Sequence, residues 1–194
     1  MFHLVLTLAV ADHFNPDPAE RVTAMVRQGN LIIDGTRYDD MLTIVQDGRQ
    51  IEVHAEGEVI WFGPVPAEVI IDTWEGNDMV VLDTSDRVVG QVHLGHGDDV
   101  LLNRGEAPVR ASGGPGNDLM VGGYGYDLFF GDEGNDTLRG GPGNDELIGG
   151  PGDDFLAGQR GVDFTAGDDG HDFCKVRPDR QEPAEGCENL DPIR

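Results

Sequence analysis

Asp118, Asp127, Asp136, Asp145, Asp154, Asp163 and Asp172 follow one another at strict intervals of nine residues. General acid and base work needs two carboxylates in unlike environments, one keeping its proton and one losing it. A row of equivalent carboxylates offers something else, many identical hard oxygen donors, which is the chemistry of cation ligation. Without a cation such a row repels itself. Asp78 and Asp99 extend it upstream, since Asp78, Asp99 and Asp118 are 21 and 19 residues apart. A second set, His93-x-x-His96 with Asp98 and Asp99 beside it, has the residue types of a transition-metal site. Its members fall on a strand and on the variable third position of a repeat, so solvated histidines are the expected reading. The chain contains no H-E-x-x-H zinc motif, no G-x-S-x-G nucleophile elbow and no P-loop. Every regularly spaced carboxylate is taken up by the row, and no catalytic role is expected.

The elements that position these aspartates are legible in the residues around them. From Gly113 to Lys175 the chain divides into seven consecutive blocks: GGPGNDLMV, GGYGYDLFF, GDEGNDTLR, GGPGNDELI, GGPGDDFLA, GQRGVDFTA and GDDGHDFCK. Positions one and four are Gly in every block and position six is Asp. Glycine supplies positive φ and close backbone approach, which lets a turn aim its carbonyls at one point. Position eight runs Met120, Phe129, Leu138, Leu147, Leu156, Thr165 and Cys174, so the side chain expected to face inward is apolar until the last two blocks.

These blocks match the pattern G-G-x-G-x-D-x-U-x. The chain therefore resembles the RTX, or hemolysin-type, calcium-binding repeat proteins, closely over residues 113–175 and more loosely over roughly 30–112. The resemblance implies an all-β fold, a right-handed parallel β-roll or β-solenoid with stacked calcium-binding turns. The first six residues of a block would form the turn and the last three a short strand, with two blocks to a coil. The cofactor implied is Ca2+, several ions. Calcium takes six to eight oxygens, more than one turn can give. With coils about 4.8 Å apart, an Asp and its equivalent one coil later can share an ion. One edge would then carry Asp78, Asp99, Asp118, Asp136, Asp154 and Asp172, and the other Asp127, Asp145 and Asp163. The regular part would hold roughly five ions and the irregular part up to two more. A weaker copy, Gly35-Thr36-Arg37-Tyr38-Asp39-Asp40, has Tyr38 in place of the fourth-position Gly, which puts ligation by Asp40 in question.

Upstream of the regular blocks, short apolar runs recur about every ten residues, at 31–33, 41–45, 50–54, 59–62, 69–71, 80–82, 88–92 and 100–102. With Asp-Gly and Glu-Gly turns between them, they predict strands throughout. Gln46-Asp47-Gly48-Arg49 and Gln28-Gly29-Asn30 predict hairpins. The segment 17–28 admits a short capped helix or a strand; alternation of Val22, Ala24 and Val26 favours the strand, pairing with 31–33. Either would cover the open N-terminal end of the coils.

Composition sets the outer limits. The net charge is -24, from 13 Lys and Arg against 37 Asp and Glu, which argues against nucleic acid as a partner. Only 38% of the 194 residues are hydrophobic, so the apolar core must be thin. No stretch reaches the 18 or so apolar residues of a membrane span. Residues 1–11 are mostly apolar and end Ala9-Val10-Ala11, the small-x-small form of an export cleavage site; a first buried strand and a misplaced start are the alternatives. Cys174 and Cys187 could close a loop worth about 3 kcal/mol and staple the tail 176–190 over the core, or could be two free thiols. A bond would indicate an oxidising compartment. The expected organisation is a leader over 1–11, irregular coils and hairpins over 12–112, a regular roll over 113–175 and a capping tail over 176–194. The expected function is an extracellular, secreted calcium-binding structural or surface protein that folds on binding Ca2+. The competing classes are a carbohydrate-binding accessory module with a polysaccharide or cell-surface partner, and a non-catalytic part of an exported enzyme or toxin. Outward Phe155 and Phe173, with Phe164 on the opposite face, could stack on sugars or lie buried beneath the tail.

Overall fold

A computed structural model describes residues 21–85, 88–176 and 183–192. Residues 1–20, and with them the proposed leader and the first part of the segment 17–28, lie outside the described residues. The described chain is all strand, with no helix, wound into a solenoid of about six turns.

Apolar and polar residues alternate where strands have one face inside, and that alternation sets the first elements. β1 (Thr23–Arg27) and β2 (Asn30–Asp34) form an antiparallel hairpin in which Val26 stands opposite Leu31. Gln28 and Gly29 both take positive φ, 54° and 90°, as the two-residue turn between twisted strands requires. β3 (Met41–Asp47), β4 (Gln50–Ala55) and β5 (Glu58–Pro64) form an antiparallel meander, with Asp47 paired to Gln50 across the predicted hairpin. Segment 17–28 is thus strand over its described part.

From β6 (Glu68–Asp72) onward the pairing is parallel. β7 (Met79–Asp83), β8 (Val89–His93), β9 (Val100–Asn103) and β10 (Val109–Ser112) are strands of four or five residues. β11 (Leu119–Val121), β12 (Leu128–Phe130), β13 (Thr137–Pro142), β14 (Glu146–Ile148), β15 (Phe155–Arg160), β16 (Phe164–Ala166) and β17 (Asp172–Val176) begin at or next to position seven of their blocks. The tail adds β18 (Ala184–Glu185) and β19 (Cys187–Pro192). Alternate strands belong to opposite sheets, ordered β1-β2-β6-β8-β10-β12-β14-β16-β18 and β19-β17-β15-β13-β11-β9-β7-β3-β4-β5. In the regular part the register advances by one coil of 18 residues, as in Met120 to Leu138 to Leu156 to Cys174.

The core is a narrow file between the two sheets. Met120, Phe129, Leu138, Leu147, Leu156 and Cys174 are fully buried, as are Leu31, Ile33, Leu42, Ile44, Ile71 and Leu101 upstream. Each regular strand except β16 contributes one such side chain, worth about 1.5–3 kcal/mol when buried, against three residues of backbone to order at about 1–2 kcal/mol each. Apolar burial alone does not hold these coils. Thr165 takes the same inward position with its hydroxyl buried and without a hydrogen-bond partner.

The tail differs from the expected lid. Its described residues continue both sheets, β18 beside β16 and β19 beside β17, joined by Gly186 alone. Cys174 and Cys187 are disulfide-bonded with Cα atoms 5.7 Å apart, fastening β19 to β17. Phe155 and Phe173 stack on each other at 5.4 Å on the outer face, half-buried, and β19 lies beside them in the sheet instead of over them.

Candidate metal centre

The turns between strands form two columns along the edges of the roll. On the first edge each carboxylate reaches one coil back. Oδ1 of Asp136 accepts the backbone N–H of Asp118 at 2.7 Å, Oδ1 of Asp154 accepts that of Asp136 at 2.7 Å, and Oδ1 of Asp172 accepts that of Asp154 at 2.9 Å. The same bond links Asp99 to Asp118, Asp78 to Asp99 and Asp40 to Asp78. On the second edge Asp127 donates to Asp145 and Asp145 to Asp163. The structure therefore brings the predicted aspartates into the two expected rows, including the irregular pair Asp78 and Asp99.

One oxygen of nearly every carboxylate is left over. Oδ2 of Asp78, Asp99, Asp118, Asp136, Asp145, Asp154 and Asp172 is buried without a hydrogen-bond partner. An orphaned buried polar atom costs about 1–3 kcal/mol, more when charged, so a file of them along one molecule calls for a ligand. The space around these atoms is set by the first glycine of each block. A Cβ added to Gly131 would lie 2.2 Å from Oδ2 of Asp136 and 2.5 Å from the carbonyl oxygen of Gly149, one coil on. At Gly113 the corresponding neighbours are Oδ2 of Asp118 and the carbonyl of Gly131. A bare carboxylate oxygen and a carbonyl oxygen from the next coil thus converge on a spot that only glycine leaves open. These are hard oxygen donors from two coils, and they fit calcium. No three His, Cys, Asp or Glu side chains cluster around one point among the described residues, so the backbone must supply the rest of a shell.

The electrostatics agree. Burial, more than any neighbour, raises the carboxyls of Asp78, Asp118, Asp136 and Asp145 to about 7, and that of Asp154 to about 6. Backbone N–H donors pull against this and charge on adjacent coils adds to it, as Asp136 does for Asp118. Asp99 is raised for the same leading reason.

Asp127 and Asp40 stand apart. Oδ2 of Asp127 accepts the N–H of Gly123 at 2.9 Å, and its Oδ1 takes the N–H of Val109 at 2.9 Å and a long bond from the Asn103 amide. Its carboxylate is satisfied by protein, although burial still raises it to about 6. Asp40 continues the first row, yet both of its oxygens bond to Thr36 of its own turn. His93 hydrogen-bonds Asp72 through Nδ1 at 2.6 Å on an outer face, while His96 is exposed on the rim.

A second row escaped the sequence reading. At position five the side chains of Asp39, Asn77, Asp98, Asn117, Asn135 and Asp153 each accept the backbone N–H of the equivalent residue one coil later, ending at His171. Its signal is the frequency of Asn and Asp at that position, unbroken on one edge and interrupted on the other by Tyr126 and Val162, where Asn144 alone makes the bond, accepting the N–H of Val162.

Among family models, that of the RTX calcium-binding nonapeptide repeat matches residues 112–147 and 139–174. No curated protein and no solved structure matches the chain. Such repeats bind Ca2+ in multiple copies, and the residues matched are those whose turns hold the orphaned oxygens. Repeat, coil and carboxylate row agree: residues 112–174 are a run of RTX calcium-binding nonapeptide repeats.

Proposed function

We propose that this chain is an extracellular, non-catalytic β-roll that folds as it binds calcium and serves a structural or surface role. The observation that carries the reading is the file of buried carboxylate oxygens without partners. Asp78, Asp99, Asp118, Asp136, Asp154 and Asp172 would hold ions between successive coils of one edge, and Asp145 and Asp163 on the other. Asp127 would enter at the start of that second row, chiefly as a hydrogen-bond acceptor. Ions that bind only the folded form stabilise it by RT ln(1 + [Ca]/Kd) each, and several sites multiply the effect. With affinities like those of extracellular modules, about 10⁻⁴ to 10⁻³ M, the roll would be loose in cytosol and folded outside the cell. The Cys174–Cys187 bond supports the same compartment. Among the described residues no helix is long and apolar enough to cross a membrane.

Calorimetric titration with calcium, run beside circular dichroism, tests this reading. Heat of several ions taken up together with a gain of β signal is expected. A full β signal in excess chelator at pH 8 would overturn it.

A further inference from the structure

The two edges of the roll differ in their N-terminal halves. The first edge carries its carboxylate row back to Asp40. On the second edge the row stops at Asp127, where Asn103 closes it by bonding the Ala107 carbonyl and Asp127. Beyond that point the turns build a recess of about 630 Å³ instead of cation turns. Its wall is the tip of the β3–β4 hairpin, held in place because Oε1 of Gln46 accepts both the N–H and the hydroxyl of Ser85 at 3.0 Å. Asp83, Arg104 and Glu106 line its length, and Tyr124 of the first regular turn of this edge stands at the far end, 68% exposed. The lining comes from the ends of β3 and β7 and from the turns that follow β7, β9 and β11, neighbours in one sheet, so three strand spacings of about 4.8 Å give a trough of about 14 Å. The trough is open along its length, a shape along which an extended chain can lie.

We infer that this recess binds a short stretch of a neutral polysaccharide. The chemistry selects the class. Asp83 and Glu106 are acceptors only, and adjacent sugar hydroxyls donate to such carboxylates. Arg104, which has no ion-pair partner among the described residues, presents donors to ring and hydroxyl oxygens. The Tyr124 ring offers a flat apolar face for the C–H side of a sugar ring and a hydroxyl at its tip. A polyanion would meet two carboxylates and a chain of net charge -24, whereas a cation would meet Arg104. An uncharged polyol satisfies every group in the trough. This site is separate from the calcium rows and needs them only for a folded chain.

Affinity electrophoresis of the calcium-loaded chain through gels containing glucan, mannan, xylan, galactan or polygalacturonate provides the test. Retardation by at least one neutral polymer is expected. Calorimetry with oligomers of that polymer should show affinity rising from monosaccharide to trisaccharide and then levelling. Tyr124→Ala and Arg104→Gln, both at exposed positions, should each weaken binding about tenfold, while Trp74→Gly, on the opposite edge, should not. Calcium uptake measured on the same proteins separates a failed trough from a failed roll. Absence of retardation by every neutral polymer, retardation by polygalacturonate alone, or equal binding by Tyr124→Ala and the unaltered chain with calcium uptake intact would each overturn the inference.

Discussion

At position six a single carboxylate does two jobs with two oxygens. Oδ1 of Asp136 bonds the preceding coil, and its Oδ2 is held bare beside Gly131. Removing that charge should cost an ion: Asp136→Asn is expected to lower the calcium stoichiometry in calorimetry, while Asp127→Asn, whose oxygens already have N–H donors, should cost stability without costing an ion. Protons compete for the same atoms. The folded values of about 7 for Asp78, Asp118, Asp136 and Asp145 lie above the 3.8 of an open chain, so the metal-free fold binds protons that the unfolded chain releases. Its stability therefore rises as pH falls from about 7 toward 4 and levels off below, and calcium affinity falls over the same interval. In chelator, the β signal should be stronger at pH 5 than at pH 8; equal signals would contradict the linkage. The buried hydroxyl of Thr165 makes a third case. Thr165→Val keeps the shape and removes an unpartnered polar group, and is expected to raise stability by about 1 kcal/mol in urea unfolding with calcium present. Positions one, six and eight were readable because one constraint fixes each residue type in all or most blocks. Position five was not, because the bond it makes is to a neighbour one coil away and forms a continuous row on one edge only, the other keeping a single such bond from Val162 to Asn144.

Among the elements, the strands and hairpins from β1 to β9 followed from alternation and turn residues alone, while β10, without an apolar run, did not. Val26 meets Leu31 and Asp47 meets Gln50 as the spacing required. What alternation could not tell was the place of the tail. β18 has only two residues, and β19 is tied to β17 through a register shift next to Asp172, a geometry with no periodic signature. The stacked pair Phe155 and Phe173 belongs to the same lesson, since a strand beside the rings and a strand over them leave the same residues in the sequence. The bond between Cys174 and Cys187 spans 13 residues, and by loop-closure entropy contributes about 3 kcal/mol. Reduction in calcium should lower the unfolding free energy by about that amount, read as a shift of the urea midpoint; no shift would mean that β19 holds without its tether.

Over the whole molecule, cohesion runs along the stack more than across it. The two inter-coil rows point in opposite directions: carboxylates at position six accept from the coil before, and side chains at position five accept from the coil after. At the N-terminal limit Asp40 turns its carboxylate onto its own Thr36, which closes the row without an earlier coil. The array has a built beginning, and for position six its end is Asp172. Peeling a coil from the front strips a buried carboxylate of its N–H donor. Peeling one from the back leaves an amide without an acceptor, and an uncharged orphan costs less than a charged one. The stack should therefore unzip from its rear, and the sulfur bridge sits at the terminus where fraying would start.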